Sequence, residues 1–383
     1  MSIAAKGYEI LKMKSTLFEG SHNVHTPKDL VEEILDNLSL ADRKILVLFN
    51  LEFVISLLYT YNVLPENITL LSDHNNKNEF AKEFKIRYIS ELEEDMKFDV
   101  VVGNPPYQGN NDKGTVQPKS HNLWSKFVSQ SIDLIDNNGY VALVTPDSWM
   151  SPNSKVLKSF KENSLTWVNT DVSNHFNVGS SFTAWILQKN QNTKKVSIDG
   201  LIVDLNTLNY LPRNFSNTYP IHHKVINSDN PKLPINNDTS CHSDYKQGKL
   251  SDNENEIFKY KTWHTNSQIK FSKIKSKDFD KHKIIWTLSG YFRPFYDPGT
   301  FGTTEVCQYM IVENQKHADQ ILSYFNSKLY NFIVTTGKWS GFLNGKIIKA
   351  LPKLEDKMWT DVTLYEYFNL TPEEIKYIES NVK

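Results

Sequence analysis

The amino-acid sequence predicts an α/β fold in the first half of the chain and a mixed α+β fold in the second half. Short apolar segments at 44–49, 68–73, 86–89 and 98–102 alternate with segments of helical periodicity, which is the pattern of a parallel sheet covered by helices. From about residue 200 this alternation stops, and polar, turn-rich stretches with many aromatic residues replace it. A length of 383 residues suits two domains, and we place their boundary between residues 205 and 206.

The segment from Phe98 to Tyr107 is the most informative part of the sequence. Its first five residues, Phe-Asp-Val-Val-Val, predict a short strand buried on both faces, as in the middle of a parallel sheet. Gly103 allows the backbone to turn, and the two prolines that follow Asn104 cannot donate hydrogen bonds to a neighbouring strand. Asn104 and Tyr107 are therefore expected in a rigid loop at the carboxyl end of a central strand, where open α/β sheets bind their ligands.

Charge is distributed unevenly along the chain, although the formal net charge is only −1. From Arg213 to Lys353 there are 20 Lys and Arg against 12 Asp and Glu, whereas the rest of the chain carries 23 against 32. An acidic first half and a basic second half suit a catalytic domain joined to a domain that binds a polyanion. Lysine-rich loops that serve only solubility would give the same asymmetry.

Composition indicates a globular protein with a hydrophobic core, because 39% of the residues are hydrophobic and 23% are charged. The two cysteines, Cys241 and Cys307, provide neither a metal-binding spacing nor a disulfide framework, which suits a reducing cytoplasm. We see no signal-peptide pattern and no apolar run of membrane-spanning length. The expectation is a cytoplasmic protein that binds no metal and no membrane.

Asn104-Pro105-Pro106-Tyr107, with its preceding strand, resembles the Asn-Pro-Pro-Tyr motif of γ-type, S-adenosylmethionine-dependent DNA adenine-N6 methyltransferases, the Eco57I/TaqI-like restriction-modification methylase family. The resemblance implies a Rossmann-like class I methyltransferase sheet followed by a mixed α+β target-recognition domain. It also implies S-adenosyl-L-methionine as cofactor and double-stranded DNA as partner, in a bacterial or phage-infected cell.

The same resemblance assigns roles to the four motif residues. The amino lone pair of adenine is delocalised into the ring, so the amino group is a poor nucleophile. The Asn104 side-chain oxygen and the Pro105 carbonyl would accept its hydrogens and localise the lone pair toward the methyl donor. The rings of Pro105 and Pro106 would hold these acceptors in place, and Tyr107 would stack on a base flipped out of the duplex.

Four further residues are cofactor candidates by this resemblance. Thr26 matches the Thr-Pro motif that precedes the first strand in γ-type enzymes, although its local pattern predicts only a helix N-cap. Asp73 ends the second strand, where an acidic residue binds ribose hydroxyls in related sheets. The loop after the first strand has no glycine, in contrast to most relatives, and either Asn50 or Glu52 is expected to make the cofactor contact there. Capping of the next helix, predicted from Phe53, is the alternative role for Glu52.

Several elements after the motif also follow the family's order. We expect a polar loop at 108–122 over the substrate, a helix at 123–135, and strands at 140–144, 167–171 and 182–187, the last completing the sheet. Relatives place a second aromatic residue against the flipped base. Tyr210 is the expected residue, with Phe176 and Phe182 as alternatives.

The second half contains basic segments with interspersed aromatic residues. A basic, half-buried strand is predicted at 270–275, a helix at 317–332, a glycine-rich basic loop at 335–346 and a C-terminal helix at 364–379. This order resembles the target-recognition half of γ-type adenine methyltransferases. Basic loops with aromatics suit phosphate contacts and base readout. The expected DNA-binding residues are Lys270, Lys273, Arg293, Lys338, Trp339 and Lys346.

Three alternatives to a DNA adenine methyltransferase remain open from the sequence. The same motif serves methyltransferases that act on a protein glutamine, because both substrates present a planar nitrogen. The glycine-free loop favours a non-catalytic DNA-binding protein on a methyltransferase scaffold, and RNA is an alternative substrate. The chain shows no convincing nuclease motif, so a cognate restriction endonuclease would be a separate partner.

Overall fold

The structure is a computed structural model that divides the chain into two compact units, Met1–Tyr210 and Leu211–Lys383. It describes residues 25–72, 75–93, 95–107, 123–176, 181–190, 193–244, 247–339 and 342–382. The substrate loop expected at 108–122 lies outside these ranges. Across the described ranges, no helix combines the length and the apolar composition that crossing a bilayer requires.

The first unit alternates helices and strands as the sequence predicted. Its helices are α1 (Lys28–Asp36), α2 (Leu51–Tyr59), α3 (Asn75–Glu83), α4 (Leu123–Leu134) and α5 (Lys155–Glu162). Its strands are β1 (Ile45–Leu48), β2 (Ile68–Leu71), β3 (Arg87–Ile89), β4 (Phe98–Gly103), β5 (Ile135–Pro146), β6 (Ser164–Asn169), β7 (Phe182–Gln188), β8 (Lys195–Ile198) and β9 (Leu201–Asp204). Short 3-10 turns occupy Pro65–Asn67, Asp147–Met150, Val172–His175 and Leu205–Thr207.

These strands form one sheet in the order β3-β2-β1-β4-β5-β7-β6-β8-β9. The adjacent strands β3, β2, β1, β4 and β5 all run parallel to one another, whereas β7 runs antiparallel to both β5 and β6. A parallel, doubly wound half joined to an inserted antiparallel strand is the class I methyltransferase sheet. The fold class expected from the sequence is therefore confirmed.

Two details of the sheet differ from the sequence predictions. Strand β7 does not complete the sheet, because β6 and the β8–β9 hairpin continue it on the far side. Strand β5 begins at Ile135, directly after α4, rather than at residue 140, so residues 136–139 lie within the strand. An irregularity in the β4–β5 register accommodates them, with Asn138 in the left-handed region at φ 65°.

Strand β4 lies in the middle of the parallel half, between β1 and β5, and its side chains are buried except for Asp99. Gly103 ends the strand against β1. A Cβ at this position would lie 2.6 Å from the Leu48 carbonyl oxygen and 2.9 Å from the Leu48 Cβ. Only glycine therefore allows the two strand ends to approach this closely, directly before Asn104.

The second unit contains two small sheets and six described helices. The helices are α6 (Phe215–Ile226), α7 (Gln315–Phe325), α8 (Lys328–Thr336), α9 (Gly345–Ala350), α10 (Asp361–Tyr367) and α11 (Pro372–Asn381). The strands are β10 (Leu250–Ser251), β11 (Tyr260–Thr265), β12 (Gln268–Ser272), β13 (Lys283–Thr287), β14 (Phe295–Asp297), β15 (Gly302–Thr303) and β16 (Cys307–Ile311). One sheet has the order β10-β12-β11-β15 and the other β14-β13-β16.

Three elements of this unit correct the sequence predictions. The helix expected at 317–332 is two helices, because Ser327 caps a new one by accepting a hydrogen bond from the Tyr330 amide. The C-terminal helix at 364–379 is likewise divided, and the second part begins with a capping box at Thr371. The basic strand expected at 270–275 covers Gln268–Ser272 instead, and within it only Ser272 is buried, whereas the apolar Ile269 is exposed.

A buried ion pair links two strands of the three-stranded sheet in the second unit. Lys283 Nζ lies 2.8 Å from the Asp297 carboxylate, and both side chains are almost fully buried. The same ammonium group donates to the carbonyl oxygens of Asp278, Phe279 and Lys281. All three ammonium protons are thereby engaged, as a buried charge requires. The pair joins the first residue of β13 to the last residue of β14 and so stabilises their antiparallel pairing at the end opposite the connecting loop.

We expect Gly103→Ala to lower the free energy of unfolding by about 1–3 kcal/mol more than Gly200→Ala, because its methyl group would overlap the backbone of β1. Gly200, in the β8–β9 turn, is the matched control, since it has a positive φ of 84° but open space around a Cβ. Urea denaturation followed by tryptophan fluorescence measures both variants. Equal losses in the two variants would show that the close strand approach is not a constraint.

Candidate active site

The motif residues lie where β1 and β4 end side by side. Asn104 directly follows β4 and is buried. Its backbone N–H donates to the Asn50 side-chain oxygen at 2.6 Å, and Asn50 is the buried residue that precedes α2. A hydrogen bond in a buried environment is costly to lose, so the loop after β1 fixes the position of the loop after β4.

The side-chain amide of Asn104 is oriented by partners on both of its atoms. Its Nδ2 donates to the Thr26 hydroxyl at 3.2 Å, and its Oδ1 accepts a short hydrogen bond from the Tyr107 hydroxyl. An amide oxygen has two lone pairs, so Oδ1 retains the capacity to accept a second hydrogen. The arrangement turns the amide oxygen, rather than the nitrogen, toward the side of Tyr107.

Thr26 is itself held by Glu52, the second residue of α2. The Thr26 backbone N–H donates to the Glu52 carboxylate at 3.2 Å, and His25 Nδ1 contacts the same carboxylate oxygen. The Glu52 side chain is 1% exposed, whereas that of His25 is 67% exposed. Glu52, Thr26 and Asn104 thus form a continuous buried chain of hydrogen bonds from α2 to the motif.

The helix-capping role expected for Thr26 is wrong. Pro27 occupies the N-cap position of α1, with φ −56° and ψ 147°, and no side chain caps that helix. The Thr26 hydroxyl accepts from Asn104 instead. Local sequence could not reveal this, because the partner is 78 residues away along the chain.

The turn after β1 is made without glycine. Phe49 takes the left-handed conformation, with φ 66°, and α2 begins at Leu51, two residues before the predicted start. The ammonium group of the buried Lys77 donates a hydrogen bond to the Phe49 carbonyl oxygen, with Nζ and the oxygen 2.6 Å apart. The Phe49 ring packs edge-on against the Phe127 ring, with the centroids 5.5 Å apart. These contacts offset the strain of a non-glycine residue at positive φ.

Lys77 and His25 are two site residues that the sequence analysis missed. Lys77 stands alone in a polar segment, and nothing in the local pattern marks its side chain as buried. His25 precedes the Thr-Pro pair and shows its significance only through its contact with Glu52. Asp73, the expected ribose contact, lies outside the described residues.

The negative charge near Asn104 is complementary to a positively charged methyl donor. S-adenosylmethionine carries a sulfonium and an ammonium group, and a buried carboxylate favours positive charge nearby. Glu52 supplies such a carboxylate within two hydrogen-bonded steps of Asn104. No group of three or more His, Cys, Asp or Glu within the described ranges is placed to hold a metal ion.

Aromatic rings extend from the motif into β7. The Tyr107 ring stacks on Phe182 with centroids 5.1 Å apart at 29°, and Phe182 packs edge-on against Phe176 at 5.3 Å. Burial raises the pKa of the Tyr107 phenol well above its ordinary value, so the hydroxyl remains a hydrogen-bond donor. Phe182, one of the alternatives to Tyr210, is the residue in contact with Tyr107. Tyr210 is half-buried and stays a prediction.

The segment at the end of β5, Thr145-Pro146-Asp147-Ser148-Trp149, is hydrogen-bonded to β7 beside these rings. The Trp185 indole donates to the Thr145 hydroxyl at 2.9 Å, and the Trp149 indole donates to the Thr183 hydroxyl at 2.7 Å. All four side chains are buried. The reciprocal pair holds the strand that carries Phe182 in a fixed register.

The expected DNA-binding residues of the second unit differ in exposure. Lys273, Arg293 and Lys346 are exposed and Lys338 is half-buried. Lys270 forms an ion pair with Asp252 at 2.7 Å. Trp339 is a core residue.

The assignment of Trp339 to a DNA-binding surface is therefore corrected. Its side chain is 5% exposed, and its indole nitrogen donates to the Leu211 carbonyl at 2.9 Å. The basic, glycine-rich surroundings suggested a surface residue, whereas a large apolar ring in this loop packs inward.

Comparison with known proteins agrees with the resemblance seen in the sequence. The family model of the Eco57I restriction-modification methylases matches residues 6–182, which confirms that resemblance for the part that carries the motif. A Mycoplasma pneumoniae protein described as an uncharacterized adenine-specific methylase is 32% identical over 89 residues. That match covers 23% of this chain and 19% of the relative's length.

Solved structures of low identity are also similar. The type IIG restriction endonuclease BpuSI is 12% identical with a TM-score of 0.40, and the match covers 99% of this chain and 63% of that one. The M protein of the type I restriction enzyme EcoKI is 16% identical with a TM-score of 0.33, covering 48% and 47%. A Pyrococcus furiosus methyltransferase is 18% identical with a TM-score of 0.31, covering 49% and 96%.

We expect Thr26→Val to destabilise the protein by about 1–3 kcal/mol, because valine has the shape of threonine but leaves the buried Asn104 Nδ2 without its acceptor. Thr26→Ser keeps the hydroxyl and serves as the control, with a smaller loss. Urea denaturation compares the two. If the valine variant is as stable as the serine variant, the Thr26 hydroxyl does not hold the Asn104 amide.

Proposed function

We propose that the chain is a site-specific DNA adenine-N6 methyltransferase, which transfers a methyl group from S-adenosylmethionine to an adenine flipped out of the duplex. The observation that carries this proposal is the orientation of the Asn104 amide. Its nitrogen is engaged by Thr26 and its backbone by Asn50, and its oxygen, which accepts one hydrogen bond from Tyr107, keeps a second lone pair for a hydrogen of the substrate amino group. The match of residues 6–182 to restriction-modification methylases supports the same conclusion.

In the proposed mechanism, the two amino hydrogens of adenine are donated to the Asn104 side-chain oxygen and the Pro105 carbonyl. Both acceptors belong to a loop fixed before substrate arrives, which avoids reorganisation during the reaction. Accepting both hydrogens draws the nitrogen lone pair out of conjugation with the ring. The lone pair is then available for in-line attack on the methyl carbon.

Tyr107 would have two roles in this mechanism. Its hydroxyl donates to Asn104 Oδ1 and remains protonated, because burial raises the pKa of the phenol. It is therefore a positioning donor and not a general base. Its ring, backed by Phe182, offers a flat and partly exposed surface on which a flipped base can stack. After transfer the methylated nitrogen is cationic and therefore acidic, and its surplus proton passes to solvent water.

Bound S-adenosylmethionine supplies the methyl group from its sulfonium centre. Glu52 is the residue that we expect to hold the ammonium group of its methionine end, beside Thr26 and Asn50. Asp73 is expected to bind the ribose hydroxyls. The cytoplasm of a bacterial or phage-infected cell and association with a cognate restriction endonuclease are parts of the same proposal.

A second candidate is a non-catalytic DNA-binding protein on the methyltransferase scaffold. The observation that favours it is the loop after β1, which lacks glycine and places the side chains of Phe49 and Lys77 next to Asn50. Bulky side chains in this loop reduce the room for a cofactor. Binding of S-adenosylmethionine, measured by calorimetric titration, distinguishes the two candidates, because only the enzyme requires it.

We expect Asn104→Ala to lower the rate of methyl transfer to AT-rich duplex DNA by at least about 10²-fold, because it removes one of the two proposed acceptors. The readout is incorporation of labelled methyl, with DNA affinity measured in parallel by fluorescence anisotropy. The control is Asn206→Ala, which removes an exposed amide on the 3-10 turn Leu205–Thr207. Unchanged rates in the Asn104 variant would refute the assigned role, and no transfer by the wild type would refute the enzyme.

A further inference from the structure

His25 is a titratable side chain at the candidate active site to which the proposed mechanism gives no role. Its Nδ1 contacts Oε1 of Glu52, the same oxygen that accepts the Thr26 backbone N–H. The Glu52 side chain is almost fully buried, whereas that of His25 is largely exposed. The imidazole ring therefore lies on the solvent side of the buried carboxylate, across the route by which a ligand from solution reaches it.

The contact with His25 compensates the charge of Glu52 only under some conditions. A buried carboxylate is costly unless a positive charge or several hydrogen bonds offset its loss of hydration. The protonated imidazole supplies such a charge, and the neutral imidazole does not. Because imidazole ordinarily titrates at about pH 6.5, this partner gains and loses its charge near neutral pH. Compensation of Glu52 by His25 thus depends on pH.

The other charged side chains on the elements around this pair have partners of their own. At the start of α1, Lys28 lies 3.4 Å from a glutamate one turn further along the helix, and Asp29 lies 3.3 Å from Nδ1 of His175. On α3, the buried Lys77 ammonium group donates to the carbonyl oxygen of the turn after β1. His175 is therefore a second imidazole on a carboxylate, but the Asp29 side chain is exposed. It provides a natural control for His25.

The ammonium group of the cofactor is expected at the same carboxylate, next to Thr26. If His25 is protonated, two cations then share Glu52, and each disfavours the charged form of the other. An aliphatic ammonium group holds its proton more strongly than an imidazolium does, so the imidazolium is the group that gives up its proton. The N–H bond of the ring breaks and the proton passes to solvent water, so that Glu52 again has one positively charged partner.

We propose that His25 is the counter-ion that the ammonium group of the cofactor replaces at Glu52, so that cofactor binding releases a proton. This inference rests on the proposed function only in taking S-adenosylmethionine and its demethylated product as ligands. It adds regulation by pH to the same site. Protonation of His25 competes with the ammonium group, and the affinity for the cofactor therefore falls as the pH falls.

The test is calorimetric titration of the full chain with S-adenosylhomocysteine at pH 6.5 in buffers of different ionisation enthalpy, which counts the protons released. This ligand keeps the ammonium group and lacks the sulfonium charge. We expect the wild type to release about 0.3–1 proton per ligand, because an ordinary imidazole is partly protonated at this pH. His175→Ala is the control and should release as many protons as the wild type.

The decisive variant is His25→Gln, which retains a hydrogen-bond donor for Glu52 but cannot titrate. The side chain that it replaces is exposed, so the variant is expected to fold. It should bind S-adenosylhomocysteine without releasing a proton. Between pH 7.5 and pH 5.5 the wild-type affinity should fall about 3- to 30-fold, because linkage to one proton changes an affinity at most about tenfold per pH unit. The affinity of His25→Gln should stay within about twofold over the same range.

A second ligand shows which group of the cofactor is responsible. 5′-Methylthioadenosine lacks the amino and carboxyl groups of the methionine end, so its binding should release no proton. Equal release with this ligand would overturn the inference. Wild-type binding of S-adenosylhomocysteine without proton release, or the same release from His25→Gln, would also overturn it, although cofactor use by the protein would stand.

Two outcomes separate this inference from the proposed function. If the wild type releases the proton on binding but transfers no methyl group to DNA, the enzyme is refuted while the role of His25 stands. If the wild type binds neither S-adenosylmethionine nor S-adenosylhomocysteine, cofactor use itself is refuted, and the role of His25 with it.

Discussion

The hydrogen bond from the Asn104 backbone amide to the Asn50 side chain is the contact on which the candidate active site depends. It joins the loops after β1 and β4, whose strands approach so closely that only glycine fits at the end of β4. With the backbone fixed, the Thr26 hydroxyl determines which way the Asn104 amide faces, and Glu52 holds Thr26 in turn. The geometry that we propose for methyl transfer is therefore present in the protein before any substrate binds.

The loop after β1 shows how the same turn can be made with different chemistry. Phe49 adopts a left-handed conformation that glycine would take without strain, at a cost of about 1–2 kcal/mol. The Lys77 ammonium group and the Phe127 ring are the contacts that hold it there. In return, α2 starts early enough to bring the Glu52 carboxylate beneath Thr26. The glycine-free turn after β1 and the position of the buried Glu52 carboxylate are therefore structurally linked.

Much of the fold could be predicted from the sequence because it is encoded locally. The apolar run before Asn104, the helix after the motif and the strand at 182–187 all follow from periodicity and turn residues. The actual role of Thr26, the burial of Lys77 and the inward packing of Trp339 could not be predicted, since each depends on a partner far away in the chain. The continuation of the sheet beyond β7 was missed for a similar reason, because strand order is a property of long-range pairing.

The central claim is that the oriented Asn104 amide serves methylation of adenine at N6. Nucleoside mass spectrometry of duplex DNA incubated with the protein and methyl-deuterated S-adenosylmethionine tests it most directly. The account predicts that the deuterated methyl group appears on adenine N6 and on no other base. Label on cytosine, label on the protein, or no label while the cofactor is demonstrably bound would contradict it.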